Sequence, residues 1–91
     1  MSTPKRSLTD VRVDIDRTDR QLIELLSGRV ALVREAFAMK GEASVPLRDE
    51  AREREIVEAA VAAGQERGLP EPHVRAVFSA ILRFARASSS E

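Results

Sequence analysis

Residues 7–41, SLTDVRVDIDRTDRQLIELLSGRVALVREAFAMKG, decide the fold. Apolar side chains recur at Val11, Ile15, Leu22, Leu25, Leu32, Ala36 and Met39, in alternating steps of four and three. That is the spacing of one face of a helix. Thr18 and Arg29 are the two seam positions that break it, Pro is absent, and Gly28 is the one glycine before Gly41. Such a helix runs for roughly 50 Å at ~1.5 Å per residue, more than the width of a compact domain of this size. The rest of the chain cannot cover its apolar seam. A second copy of the same helix can, so an obligate, intertwined helical homodimer is expected.

Ninety-one residues make a single small domain, here 1–91, with a thin core. Apolar residues are 43% of the chain and aromatics 3%, with neither Trp nor Tyr, a palette that suits helix packing and offers no platform for stacked bases. Fifteen basic and fifteen acidic side chains balance, so no overall field draws the chain to nucleic acid or an anionic membrane. Arg75, Arg83 and Arg86 on the last helical segment do not change that. Cysteine is absent, which excludes disulfides and thiolate chemistry. The opening MSTPKRS lacks the apolar centre of a signal peptide and no segment approaches a membrane span, so a cytoplasmic location is expected.

Along the chain, Met1–Arg6 reads as a disordered lead-in, and Ser7 with Asp10 forms a capping pair for the first helix. Gly41 is the expected stop, followed by a loop over 42–47 in which Pro46 holds the backbone extended. Asp49 reads as the N-cap of a second helix, with Glu50 and Glu53 where the helix dipole favours anions. Its apolar stripe is Ile56, Val57, Ala60, Val61 and Gly64, and it should end near Gly68, before Pro70 and Pro72. A third helix carries Val74, Val77, Phe78, Ile81, Leu82 and Ala85 on one face, and residues 88–91 fray. Phe37, Phe78 and Phe84 read as core or interface. The fold class is therefore all-α, three helices per chain with one very long.

The charges are less ordinary. Arg29 stands on the seam among Leu25, Leu26, Leu32 and Val33, and a buried guanidinium is costly without an anion. The anion is either a carboxylate of a partner helix or a bound small molecule. Lys40 follows eleven residues later, within roughly 20° around the helix and ~16 Å along it, so the two long side chains could grip one small anion. Arg12 lies roughly 25 Å from Arg29 and rotated by about 100°, too far to share a small ligand within one helix. In an antiparallel pair it could enter the partner's site. In the second helix Asp49, Arg52 and Glu53 share the surface of the first turn. By themselves they read as capping plus solvated ion pairs. Together, Arg12, Arg29, Lys40 and Arg52 form a surplus of inward-looking cations that suits a small dianion, with Arg forks on its carboxylates. The lone His73, with no Cys and no neighbouring nucleophile, supports neither a metal site nor a triad and reads as a surface residue.

These residues resemble the all-helical class of chorismate mutase over nearly the whole chain, about residues 8–89. LTDVRVDIDRTDRQLIELLSGRVALV is similar to that family's opening helix, VPLRDEAREREI to its second, and PHVRAVFSAILRFAR to its third. The resemblance implies an intertwined homodimer with two identical sites, each completed by Arg12 of the other subunit. It implies conversion of chorismate, a small dianion, to prephenate on the way to phenylalanine and tyrosine, without metal or cofactor. Arg12 and Arg29 would bind the carboxylates, Lys40 would donate to the ether oxygen, and Glu53 would accept from the ring hydroxyl. Asp49 and Arg52 would complete the polar wall.

The family usually carries a serine and, four residues later, a glutamine near the end of the third helix, where this chain has Ala85 and Ser89. Serine can donate but is too short to reach the same point without water. Three readings follow: a slower mutase, a relative acting on isochorismate or 4-amino-4-deoxychorismate, or an enzyme completed by an activating partner enzyme. A further alternative, of another class, is a non-catalytic helical dimer whose charges are interhelical pairs.

Overall fold

The computed structural model describes residues 5–42 and 49–89, with side chains for all of these except 40–42 and 88–89. Three helices account for nearly all of them: α1 (Leu8–Glu42), α2 (Glu50–Glu66) and α3 (Glu71–Ser89). There is no strand among the described residues. The all-α class with one very long first helix is as the periodicity requires. Pro46, most of its loop, Arg48, residues 1–4, Ser90 and Glu91 lie outside the described residues. The chain divides into two compact units, residues 1–32 and 33–91.

In the first unit α1 begins with a reciprocal cap. The Ser7 backbone N–H donates to Asp10 Oδ2 at 3.0 Å, and the Asp10 N–H donates to Ser7 Oγ at 3.1 Å, so two otherwise orphaned donors are satisfied. Arg6 extends the cap by pairing with Asp14. Thr18, the first polar break in the seam, donates its hydroxyl to the Asp14 carbonyl at 2.9 Å. That back-bond hides its polarity and leaves its methyl to face outward. The seam itself is open: Leu25 is 71% and Leu32 66% exposed, with Ile15 and Leu22 also exposed. A contiguous exposed apolar stripe of this kind is uncommon on a soluble monomer. The helix continues one residue beyond the expected stop, through Gly41 to Glu42. Glycine costs a helix only about 1 kcal/mol and compels no break.

In the second unit α2 packs on α3. Asp49 caps α2, accepting the Arg52 backbone N–H at 2.9 Å. At the other end Gly68 takes φ +75°, and the Leu69 and Gly68 N–H groups donate to the Gly64 and Gln65 carbonyls at 2.9 and 3.2 Å. This double bond is the Schellman arrangement, which requires a residue at ease in the left-handed region. Pro72 sits in the first turn of α3, where its missing N–H leaves no acceptor unpaired.

Val61, Gly64, Val74, Leu82 and Ala85 are buried between the two helices, with Ile56, Val57, Ala60, Phe78 and Ile81 half-buried around them. Val77 departs from the expected stripe and is exposed. At ~100° per residue it lies about 100° from the line through Phe78 and Ala85, beyond the buried sector. Phe84 is turned outward for the same reason and is not core. Gly64 is a point of close approach between the helices: a Cβ there would lie 2.9 Å from Val74 Cγ2 and 3.5 Å from Leu69 Cβ. Val74 is β-branched and cannot swing aside. Gly64→Val should therefore cost about 1–3 kcal/mol through overpacking. A thermal melt would show it as a fall in Tm of several degrees, roughly 4–8 °C per kcal/mol in a domain of this size.

Candidate active site

The site residues expected from the sequence are divided between the two units. In the first, Arg12 is exposed and Arg29 half-buried on the apolar stripe of α1. Among the described residues no carboxylate pairs with either guanidinium; in that unit Asp14 holds Arg6 and Arg17, and Asp10 is in the cap. Guanidiniums on an apolar stripe, without a carboxylate partner among the described residues, are the kind of group that binds anions.

In the second unit Lys40 lies in the last turns of α1; its side chain, and that of Ser89 at the end of α3, lie outside the described ones. Asp49 spends one carboxylate oxygen on the α2 cap, leaving the other for a ligand. Arg52 is exposed and makes a long, 3.5 Å bond to Glu55, weak enough to yield to a better anion. Ala85 is 6% exposed, buried in the α2–α3 seam.

Glu53 is held differently. Arg86 Nη1 donates to both its oxygens, at 2.8 Å to Oε1 and 2.7 Å to Oε2, with side-chain exposures of 34% for Arg86 and 21% for Glu53. Sequence reasoning treated Arg86 only as one of three arginines on the last helix. A signal for the pair was present: residues 53 and 86 lie at similar distances along the chain from the α2–α3 turn, one before Glu66 and one after Glu71. Antiparallel helices of equal rise bring such positions opposite each other.

A second ion pair reinforces the same hairpin. Arg75 donates to the Glu58 oxygens at 2.7 and 3.2 Å. That hydrogen bond, with the charge behind it, holds the Glu58 carboxyl below its ordinary value of 4.5 and raises Arg75. A carboxyl depressed in the folded state adds stability above its unfolded value, lost as pH falls through the folded one. Both groups are exposed, so salt weakens the effect. Between the helices runs an open groove of about 490 Å³, with Glu53, Arg54, Arg83 and Arg86 on its walls. No group of three or more potential metal ligands occurs among the described residues, and no described helix is long and apolar enough to cross a membrane.

Residues 11–89 match the family model for chorismate mutase type II, and the chain belongs to that family. No curated protein matches it. The family span takes in every residue named above as a site candidate, from Arg12 to Ser89.

Proposed function

We propose that this member of the chorismate mutase type II family converts chorismate to prephenate in the cytoplasm, as a homodimer in which Arg12 of each chain completes the site of the other. The observation that carries the reading is the pair of guanidiniums, Arg12 and Arg29, without a carboxylate partner among the described residues on the apolar stripe of α1. The family match over residues 11–89 supports it.

The reaction is an intramolecular Claisen rearrangement, in which one C–O bond breaks as one C–C bond forms. It needs no nucleophile and no net proton transfer. The protein's task is to hold the folded conformer and to stabilise charge growing on the ether oxygen. Arg29 and the partner's Arg12 grip the two carboxylates, which fixes the chain of reacting atoms. Lys40 donates to the ether oxygen as its bond lengthens. Glu53 accepts from the ring hydroxyl, and Asp49 and Arg52 close the polar wall. Lys40 faces the developing charge, so Lys40→Ala should lower kcat by about 10²–10³-fold with a smaller change in KM, the pattern for a donor used mainly in the transition state.

Ala85 favours a second reading. Buried between α2 and α3, it offers no donor where the family usually has serine. A related pericyclic reaction, pyruvate loss from isochorismate or rearrangement of 4-amino-4-deoxychorismate, relies on the same grip on carboxylates with a different ring. Ultraviolet assays of the purified protein against the three substrates decide. Chorismate consumption is the expected result; consumption of isochorismate or the amino analogue alone would establish the second reading. Loss of none of them, with candidate partner enzymes added, would leave a non-catalytic helical dimer.

A further inference from the structure

We propose that Arg86 is a positioning residue for the mutase reaction, holding the Glu53 carboxylate in the orientation that receives the substrate's ring hydroxyl. The inference rests on the chorismate reading above and adds to it a residue of α3.

Glu53 stands in the first turn of α2 on a side chain with three rotatable bonds. Left alone it would sample several rotamers, and ordering it on substrate binding would cost up to about 2 kcal/mol. Arg86 removes that freedom in advance. Its Nη1 lies within 2.8 Å of both carboxylate oxygens, in a part-buried position where water competes less well than at the open surface. Arg86 engages both carboxylate oxygens at once, which fixes the plane of the carboxylate as well as its position.

The arrangement is set by the fold. The Schellman turn at Gly68 and the close contact of Gly64 with Val74 fix the register of α3 on α2. Residues 53 and 86, at similar distances from that turn, then meet. Ala85, the preceding residue, is buried and offers no side-chain donor. Arg86 is thus a side chain through which α3 reaches a site residue.

A clamp between helices would look the same in a static structure, so the test must separate clamp from positioning. A double-mutant cycle does so: wild type, Arg86→Met, Glu53→Gln and the double variant, with kcat and KM for chorismate and the thermal midpoint of each. Arg86→Met is expected to lower kcat about 10- to 100-fold, the scale of a misplaced reacting partner. Arg86→Lys should recover most of that loss. In the Glu53→Gln background, Arg86→Met should cost less than about twofold more, because the group it positions is already gone. The proposal is overturned if Arg86→Met leaves kcat unchanged, or if it costs the same factor in both backgrounds. Should Arg86→Met fail to fold, Arg86→Gln run through the same cycle gives the same comparison. A wild type inert towards chorismate would remove the functional reading and this inference together; an active wild type with a silent Arg86 would remove only the inference.

Discussion

Arg29→Ala is expected to leave a folded dimer that turns over chorismate roughly 10³-fold more slowly than wild type, the loss when a charged hydrogen-bond partner of the reacting molecule is removed. The two measurements pull in opposite directions, which makes the variant informative. A guanidinium serving an ion pair within the protein would, on truncation, strand a carboxylate and cost about 3–5 kcal/mol of stability. Arg29 has no such carboxylate among the described residues and lies beside exposed Leu25 and Leu32. Removing it should therefore leave the thermal midpoint in place or raise it. Loss of stability with activity retained would make Arg29 structural.

The second large effect is expected from the seam. Leu25 and Leu32 are the most exposed leucines of α1, one on each side of Arg29 in sequence. The Leu25→Glu/Leu32→Glu double variant places two carboxylates where a second helix is expected to lie. Each buried charge without a partner costs several kcal/mol, comparable with the whole stability of a small domain. Light scattering should report a monomer in place of a dimer, and circular dichroism should report a loss of helix. On the dimer reading, α1 takes its stability mainly from an apolar face packed on the partner helix. A dimer with unchanged helicity would show that the seam is not the interface.

Much of the fold is legible in the sequence because its signals are local. Ser7 with Asp10, Asp49 with the Arg52 N–H, and Gly68 at positive φ are each settled within a few residues. The stripe from Ile56 to Gly64 follows from helical period alone. Val77 and Phe84 stay outside the α2–α3 contact because a stripe has a width, and apolar residues at its edge look from sequence like those at its centre. Gly41 misled because glycine permits a helix end without enforcing one. The site was legible as a list of cations but not as a set of bonds. Arg86 is 33 residues from Glu53, and pairing at that range depends on how the α2–α3 hairpin closes. Composition and period do not encode that register; the turn chemistry does.

The central claim is that two chains build each site, and mixing inactive variants tests it most directly. Arg12→Ala and Arg29→Ala should each be inactive as homodimers. Unfolded together and refolded at equal amounts, half of the dimers should be mixed. In a mixed dimer one site has both arginines and the other has neither, so about one quarter of wild-type activity should return. If Arg12 and Arg29 serve the same chain's site, no mixed dimer has an intact site, and the refolded mixture would stay as inactive as its parents.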